Sequence, residues 1–439
     1  MLTIEKLFQI SESMLNKSKL LINTKEKKRL LENFVSLSLL QGLNYILPLV
    51  TFPYLVRVLG VEKFGLLAFA TATVAYFQIL TDYGFNLSAT REVAINRDNK
   101  EKLNEIYSSV MIIKFCLLII SFLLLSVLVF SFEKFRQDWL VYYLSFGMVV
   151  GQVLFPVWFF QGMERMRYIT LLNILAKGLF TIAIFVFVRA QNDYWKIPLL
   201  NSIGFILAGV ISLFIVSKYF NIKFQRVHES SLKFQLREGW HIFVSTIAIS
   251  LYTVSTTFIL GLFTNNKIVG YYSAADKLIQ AVKGLFGPVS QSLYPFINKK
   301  VAESKEAGLH IIRKITKYIG ITTAFVSFLI FIGSKQIITV ILSSEYNNSI
   351  VILRILSIHP FLIGLSNVFG IQTMLPFQRK KAFQNILIIA SIINIIVSLL
   401  LVPLFQHIGS AISVTFVEFF VTLTMFIYLE RTGIKIVRC

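Results

Sequence analysis

The sequence predicts an all-α membrane protein of twelve spanning helices arranged in two six-helix lobes. The chain is 56% hydrophobic and its mean hydropathy is +0.71, well above the values of soluble domains. Apolar stretches of about 20 residues or more recur along it, and each is long enough to cross the hydrocarbon core of a bilayer. A weak internal repeat also relates the two halves of the chain.

The N-terminal segment, residues 1–32, carries seven Lys and Arg among scattered apolar residues. We expect a cytoplasmic arm there, either an amphipathic or disordered segment on the membrane surface or a solvated tail. The segment lacks the apolar core of a signal peptide, so the first spanning helix is expected to direct insertion.

The N-lobe is predicted over residues 33–217. Pro48 and Pro53 fall in the first span and predict a kink or break near its outer half. Gly147 and Gly151 form a small-xxx-small pair in the fourth span, a pattern typical of close helix packing. The six spans lie at about 33–57, 64–90, 107–130, 139–161, 168–188 and 195–217.

A polar cytoplasmic linker is predicted over residues 218–238, and the C-lobe follows over 239–430. Within the C-lobe, residues 267–299 are predicted to form one long helix. A short cytoplasmic tail, 431–439, ends the chain. The six spans of the C-lobe lie at about 239–263, 267–297, 316–342, 350–376, 383–405 and 408–429.

The internal repeat is weak in identity but consistent in position. A shift of 205 positions takes Gly65 to Gly270, each within a short run of similar residues. A shift of 214 positions takes Arg165 to Arg379, in two basic turns that follow the fourth and the tenth span. Because each half has an even number of spans, the repeats are predicted to be parallel, related by an axis along the membrane normal.

The charge distribution predicts the orientation. The chain has 43 Lys and Arg against 22 Asp and Glu, a formal net charge of +21. With the N-terminus inside, the inner segments carry 30 of the 43 Lys and Arg and the outer segments carry 7. The positive-inside rule therefore predicts that both termini are cytoplasmic. The same distribution accounts for most of the excess charge, so no nucleic-acid partner is needed to explain it.

Two polar stripes mark the predicted transport path. Positions at helical spacing fall on one face of a helix, and a charge at bilayer depth costs roughly 2.5–3.5 kcal/mol on insertion scales. Such stripes are therefore expected to face a shared, water-filled path. The stronger stripe comprises Asp276, Gln280, Lys283, Gly287 and Gln291, and the fainter one comprises Thr71, Ala75, Gln78, Asp82 and Asn86.

Cationic residues inside the spans predict an anionic substrate. Lys177 and Lys283 lie centrally in their spans, and Lys277 and Arg354 lie nearer the outer side. A cavity lined by these four side chains would suit a phosphate or an acidic sugar. Pairing with carboxylates as buried ion pairs is the alternative.

The acidic residues inside the spans, Asp82, Asp276 and Glu418, are predicted to be counter-charges or protonatable groups for ion coupling. Lys114 and Lys335 lie near span ends and are expected to extend toward the interface.

Motifs for enzyme chemistry are missing. The sequence has no G-x-x-x-x-G-K-[ST], no G-x-S-x-G and no H-E-x-x-H. The five histidines are scattered singly, and two cysteines are too few for a metal cluster or a disulfide scaffold. We therefore expect neither metal nor cofactor. The short outer loops argue against a membrane-embedded transferase or polymerase, and a scaffold for glycan enzymes remains open.

Several stretches resemble the Wzx O-antigen flippases, of the polysaccharide transport family in the MOP exporter superfamily. The resemblance runs over about residues 33–430. It rests on LVTFPYLVRVLGVEKFGLLAFA (49–70), DYGFNLSATREVA (82–94), FPVWFFQGMERMRYI (155–169), FGPVSQSLYPF (286–296) and LPFQRKKAF (375–383).

The resemblance implies a MOP/MATE-like fold, with two lobes forming a V around a central cavity. It implies a flippase for undecaprenyl-diphosphate-linked O-antigen repeat units in the bacterial inner membrane, working by alternating access. Membrane lipid, an O-antigen polymerase and a chain-length regulator are the partners that follow from it. The alternative within the superfamily is a MATE-type ion-coupled exporter of small molecules, in which carboxylates would be expected to dominate the cavity.

Overall fold

The computed structural model describes residues 25–436, and these residues are helical with no strand among them. Residues 1–24 of the predicted arm and 437–439 of the predicted tail lie outside the described residues. The first helix begins at Lys25, so residues 25–32 continue into the first predicted span instead of belonging to an arm.

The helices α1 to α16 follow one another in the chain as follows: α1 Lys25–Asp82, α2 Phe85–Ile95, α3 Lys100–Ser131, α4 Glu133–Arg136, α5 Trp139–Leu154, α6 Val157–Gly162, α7 Met166–Phe187, α8 Lys196–Tyr219, α9 Glu229–Thr253, α10 Ser255–Phe263, α11 Asn266–Gly284, α12 Phe286–Glu303, α13 Lys305–Ile337, α14 Ser349–Leu356, α15 His359–Phe369 and α16 Lys380–Arg431. Short 3₁₀ turns at Gln191–Trp195 and Ser344–Tyr346, and π turns at Ile338–Leu342 and Gly370–Met374, complete the described chain.

Eight helical stretches of the described chain are long and apolar enough to cross a membrane. They include α1 and α16, each of which contains a single non-helical residue that divides it in two. The pairs α9–α10 and α11–α12 are not among the eight. These pairs carry the polar residues from which the stronger stripe and the linker were predicted. The chain is a multi-pass membrane protein, and the count of twelve spans and the cytoplasmic termini stay predictions.

Helix α1 bends at Gly60, where φ is +69°. The backbone remains helical at Pro48 and Pro53, so the break predicted at these prolines lies at the glycine instead. Glycine adopts a positive φ without a Cβ penalty, which explains why the chain turns there. Helix α16 bends in the same manner at Gln406, where φ is +51°.

The second predicted span, 64–90, is wrong at its inner end. Helix α1 stops at Asp82, and Tyr83 and Gly84 both have positive φ, 48° and 78°. A Cβ on Gly84 would lie 3.0 Å from the carbonyl oxygen of Gly239, because α9 approaches closely at this point. Asn86 therefore lies in a separate helix, α2, which begins at Phe85, and it no longer continues the fainter stripe.

Two further boundaries differ from the sequence prediction. The linker predicted over 218–238 is irregular only over 220–228, since α9 already begins at Glu229. The single helix predicted over 267–299 is divided at Leu285, whose dihedrals (φ −69°, ψ −21°) are still in the right-handed helical region. Gly287 and Gln291 thus lie on α12, while Asp276, Gln280 and Lys283 lie on α11.

The two basic turns confirm the internal repeat at the level of single hydrogen bonds. Glu164 and Gln378 both adopt positive φ, 54° and 62°. The next residue donates its backbone N–H in each case: Arg165 to Phe160 over 2.8 Å, and Arg379 to Met374 over 2.7 Å. All of these pairs are related by the shift of 214 positions.

The predicted packing of Gly147 and Gly151 is also confirmed. A Cβ on either residue would lie 2.6 Å from α8, at Ser202 and at Phe205 respectively. The larger cluster of buried apolar residues confined to the first half of the chain lies around Trp158, and a cluster in the second half lies around Met425. A third cluster, around Phe69 and Tyr346, contains residues of both halves and joins them.

Candidate functional site

The two halves meet closely at the predicted outer end, along a contact that we call the outer seam. It is formed by the second segment of α1, by α11 and by neighbouring loops. A Cβ on Gly65 would lie 1.8 Å from the carbonyl oxygen of Asn266, and a Cβ on Gly270 would lie 2.1 Å from that of Val61. Only glycine permits helices to approach so closely, so these two positions set the closed geometry of the seam.

Hydrogen bonds across the outer seam use side-chain donors of one half and backbone carbonyls of the other. Arg57 donates to the carbonyl of Val340 and, over 3.2 Å, to that of Ile341. Tyr346 donates over 3.3 Å to Val56. Lys134 donates to the carbonyl of Thr264. These carbonyls can accept hydrogen bonds from side chains because the helices that carry them end or become irregular at these positions.

The stronger polar stripe is solvent-accessible on α11. Lys277 and Gln280 are exposed, whereas Asp276 and Lys283 are half-buried. Gln280 donates to the Asp276 carboxylate over 2.5 Å, and both Lys283 and Lys277 lie within electrostatic range of that carboxylate. The opposite face of α11, including Tyr272, Ala275 and Ile279, is buried in the shared core. This helix therefore presents two ammonium groups around one carboxylate.

Lys283 on α11 is half-buried. It lies within electrostatic range of His359 at the start of α15, a side chain that is 0% exposed. The His359 Nε2 is 2.9 Å from the hydroxyl of Thr415 on α16. Glu418 lies one turn further along α16 and is buried. Helices α11 and α15 thus bring Lys283 within electrostatic range of a buried histidine, and the Thr415 partner of that histidine is one turn from Glu418.

The first half holds two separate charged features. Lys177 on α7 is half-buried and donates over 2.6 Å to the amide oxygen of Asn44, so its described partner is neutral and leaves its charge available. Asp82 lies within electrostatic range of Lys114 on α3 and accepts a hydrogen bond from the Gly84 backbone. One Asp82 oxygen is buried without a hydrogen-bond partner.

The remaining predicted residues are not joined to the α11 group by any described contact. Arg354 is exposed on α14, and Gln291 is exposed on α12. Gln78 and Asn86 are half-buried, on either side of the Tyr83–Gly84 break. Within the described residues, no three His, Cys, Asp or Glu side chains come together as a metal site.

Two residues contact members of the candidate site in a way that the sequence did not predict. Lys114 was expected to extend toward the interface, yet it is 1% exposed and faces Asp82. Lys114 lies 14 residues into a helix of 32 residues. A sequence prediction that started this helix at residue 100 would have placed Lys114 near its middle instead of near its end. His359 was one of five scattered histidines, and only the fold shows that it faces Lys283.

Comparison with known proteins decides the family. The model of the family described as "Polysaccharide biosynthesis protein" matches residues 30–301. The chain belongs to this family. Within it, a proposed O-antigen transporter of Escherichia coli (strain K12) is 33% identical over 410 residues, covering 93% of this chain and 99% of the relative. A second proposed O-antigen transporter, from Shigella dysenteriae, is 29% identical over 90% of this chain and 98% of the relative.

Solved structures place this polysaccharide biosynthesis protein in the MOP/MATE-like fold. The lipid II flippase MurJ, in an inward closed conformation, aligns with a TM-score of 0.71 at 14% identity, covering 90% of this chain and 87% of MurJ. An inward-facing multidrug resistance transporter of the MATE family aligns with a TM-score of 0.68 at 14% identity, covering 92% and 98%. The predicted all-α, MOP/MATE-like fold is thereby confirmed.

Proposed function

We propose that the protein is a flippase for undecaprenyl-diphosphate-linked O-antigen repeat units. It carries them from the cytoplasmic to the periplasmic leaflet of the bacterial inner membrane by alternating access. The family, the two O-antigen transporter relatives and the flippase-like fold support this assignment. The membrane lipid to which the saccharide is attached is then part of the substrate.

The observation that carries the proposal is the cationic face of α11. Two ammonium groups surround one carboxylate, and Gln280 beside them is exposed. A diphosphate brings two or more negative charges, which such a face binds by charge-assisted hydrogen bonds. Lys177, held by a neutral amide in the first half, is proposed as a further cation for the diphosphate. Arg354 is proposed as a further contact nearer the outer end.

The polar groups around the cations have a second role in this proposal. Asp276 and Gln280 keep the ammonium groups oriented, while Gln78, Asn86 and Gln291 receive saccharide hydroxyls. Asp82 and Glu418 are the candidate groups for coupling to an ion gradient. A protonatable residue within a span is costly unless it serves such a function.

The cycle follows from the closed outer seam. Because the outer end is closed, the substrate can enter only from the inner side. Its diphosphate then binds the cations while its lipid tail stays in the bilayer. Separation of the halves at the seam then opens the site outward. The protein itself forms no covalent bond in this cycle and is not an enzyme. An O-antigen polymerase, which consumes the product, and a chain-length regulator are the proposed partners.

A MATE-type exporter of small cations is the competing function, because its fold is similar. The cationic face of α11 disfavours it, since an organic cation would be repelled by Lys277 and Lys283. A drug-susceptibility panel on a deletion strain separates the two functions.

The test replaces Lys283 and Lys177 separately with alanine in a deletion strain and measures surface polysaccharide at matched protein level. We expect each variant to lose most of its complementation. Lys335→Ala is the matched control, because Lys335 is an exposed lysine near the end of α13. Full complementation by both Lys283→Ala and Lys177→Ala would reject their assigned role.

A further inference from the structure

A polar cavity of about 310 Å³ lies where α9 meets the first half of the chain. Its walls come from the ends of three helices: Glu92 on α2, Lys102 and Glu105 on α3, and Ser230, Phe234 and Gln235 on α9. None of these residues belongs to the cationic site on α11. The volume is at the lower end of the range for small-ligand sites.

The hydrogen-bonding groups of the cavity are only partly used by the protein. Both oxygens of Glu105 are occupied, one by Ser231 and the other by Lys102 over 2.8 Å. Lys102 has three N–H donors and therefore keeps two. Among the described residues, the half-buried carboxylate of Glu92 has no partner.

Gln235 adds an unpaired acceptor to this wall. The side chain is 3% exposed, and its Oε1 has no hydrogen-bond partner. A buried polar atom without a partner costs roughly 1–3 kcal/mol. A ligand that brings N–H donors to Glu92 and Gln235 would recover that cost.

The cavity lies at the depth of the lipid headgroups. Helix α3 has 32 residues, which corresponds to about 48 Å at 1.5 Å per residue, whereas the hydrocarbon core is about 30 Å thick. Four of its first ten residues, 100–109, are charged, and a predominantly apolar stretch with Lys114 as its only charge follows over 110–130. Lys102 and Glu105 are therefore outside the hydrocarbon core, and Phe234, which is 46% exposed, lies beside them.

We propose that this cavity binds the headgroup of a phospholipid that carries a primary ammonium. Glu92 and Gln235 accept its N–H groups. Lys102 and the hydroxyl of Ser230 bind its phosphate, and Phe234 contacts the glycerol region. A carboxylate and an ammonium in one small cavity match the two opposite charges of such a headgroup.

The lipid would act as a clamp between the halves. Helix α9 starts the second half of the chain, yet it packs on the first half through Tyr83 and Phe243, whose rings are stacked at 4.7 Å. The cavity lies at the same contact, two turns nearer the start of α9. Bound lipid therefore stabilises the docking of α9 on α2 and α3. This inference does not depend on which substrate the protein carries.

The experiment compares three lipids on the purified full-length protein by native mass spectrometry and by thermal unfolding. The probes are phosphatidylethanolamine, phosphatidylcholine and phosphatidylglycerol with identical acyl chains. Phosphatidylcholine has the same two charges as phosphatidylethanolamine but no N–H donor, so the pair isolates the hydrogen bonds to Glu92 and Gln235. We expect phosphatidylethanolamine to bind at least tenfold more tightly than phosphatidylcholine and to raise the unfolding temperature.

Glu92→Gln and Gln235→Leu are expected to remove that preference. Lys233→Gln is the matched control, because Lys233 is on the same helix turn but pairs with Glu229 in solvent. Equal binding of phosphatidylethanolamine and phosphatidylcholine to the unaltered protein would overturn the proposal, and so would tightest binding of phosphatidylglycerol. Since this comparison needs no variant, a folding defect in Gln235→Leu does not affect it.

Discussion

Gly65 and Gly270 make equivalent contacts with opposite halves of the molecule. Gly65 packs against the carbonyl of Asn266, and Gly270 packs against the carbonyl of Val61. A shift of 205 positions takes Gly65 to Gly270 and Val61 to Asn266, so it converts one contact into the other. The axis that relates the halves passes between these helices. The outer seam is therefore closed by both halves in the same way.

Replacement of Gly65 or Gly270 by alanine is expected to open the outer seam. The added Cβ would overlap a backbone oxygen that cannot rotate away, and overpacking of this kind costs about 1–3 kcal/mol. The ratio of closed to open molecules should fall by about tenfold for a cost of 1.4 kcal/mol. The measurement is the distance between spin labels at Glu133→Cys and Lys267→Cys, in a background without the native cysteines.

Gly178→Ala is the control, because nothing lies within 4 Å of a Cβ at that helical position. It should leave the distance distribution unchanged. A seam that stays closed in both Gly65→Ala and Gly270→Ala would contradict the role given to these glycines.

The outer seam is also expected to depend on pH through Asp138. Burial raises the pKa of this carboxyl, with Glu62 acting in the same direction, while Lys63 and a hydrogen bond from Asn266 oppose the increase. Because the raised pKa belongs to the closed state, that state binds the proton more tightly than the open state does. Closure should therefore weaken as the pH rises through this pKa.

The same spin-label distance, measured as a function of pH, checks this expectation. Asp138→Asn mimics the protonated form and should keep the seam closed across the range. A pH response that persists unchanged in Asp138→Asn would show that another group is responsible.

The half-buried Asp82 and the buried Lys114 are expected to stabilise the fold because each compensates the charge of the other. Asp82→Asn leaves the Lys114 ammonium uncompensated, and loss of one partner from a buried pair typically costs about 3–5 kcal/mol. The double variant Asp82→Asn/Lys114→Met should recover most of that loss, because no buried charge remains. Thermal unfolding of the single and double variants gives the coupling free energy between the two side chains. A double variant as destabilised as the sum of the singles would contradict the pairing.

The backbone conformation of Gln378 is expected to lower the stability of the folded protein slightly. Its φ of 62° disfavours a residue with a Cβ by roughly 1 kcal/mol, so Gln378→Gly should raise the unfolding temperature. Gln384→Gly is the control, since the same change at an exposed position inside α16 should cost about 1 kcal/mol. If both changes lower the unfolding temperature equally, the strain assigned to Gln378 is absent.

The repeat and the polar face of α11 were predictable because they depend on periodicity. Gly65 and Gly270 stood at the same shift as their surroundings, and Asp276, Gln280 and Lys283 stood at helical spacing in an otherwise apolar region. Polar and charged side chains in a membrane helix are costly in contact with lipid, so they face water or one another. The sequence therefore located the helix and its hydrophilic side without any tertiary information.

The breaks and the long-range partners were not predictable from the same signals. Pro48 and Pro53 are stronger sequence markers of a kink than Gly60, yet the break occurs at the glycine, where α1 meets the second half of the chain. Tyr83 interrupts α1 only because α9 approaches Gly84, a contact between distant parts of the sequence. Lys114 and His359 are placed by neighbours that are remote in the chain. Tertiary packing decides all four cases.

The central claim is that this protein moves lipid-linked saccharide repeat units between leaflets. The most direct measurement is the sidedness of these lipids in cells that lack the protein, determined by a glycan-modifying enzyme added to inverted and to right-side-out membrane vesicles. We predict that repeat units accumulate on the cytoplasmic leaflet and that the intact gene, but not a Lys283→Ala variant, restores their transfer. Repeat units that still reach the periplasmic leaflet at the normal rate without the protein would contradict the account.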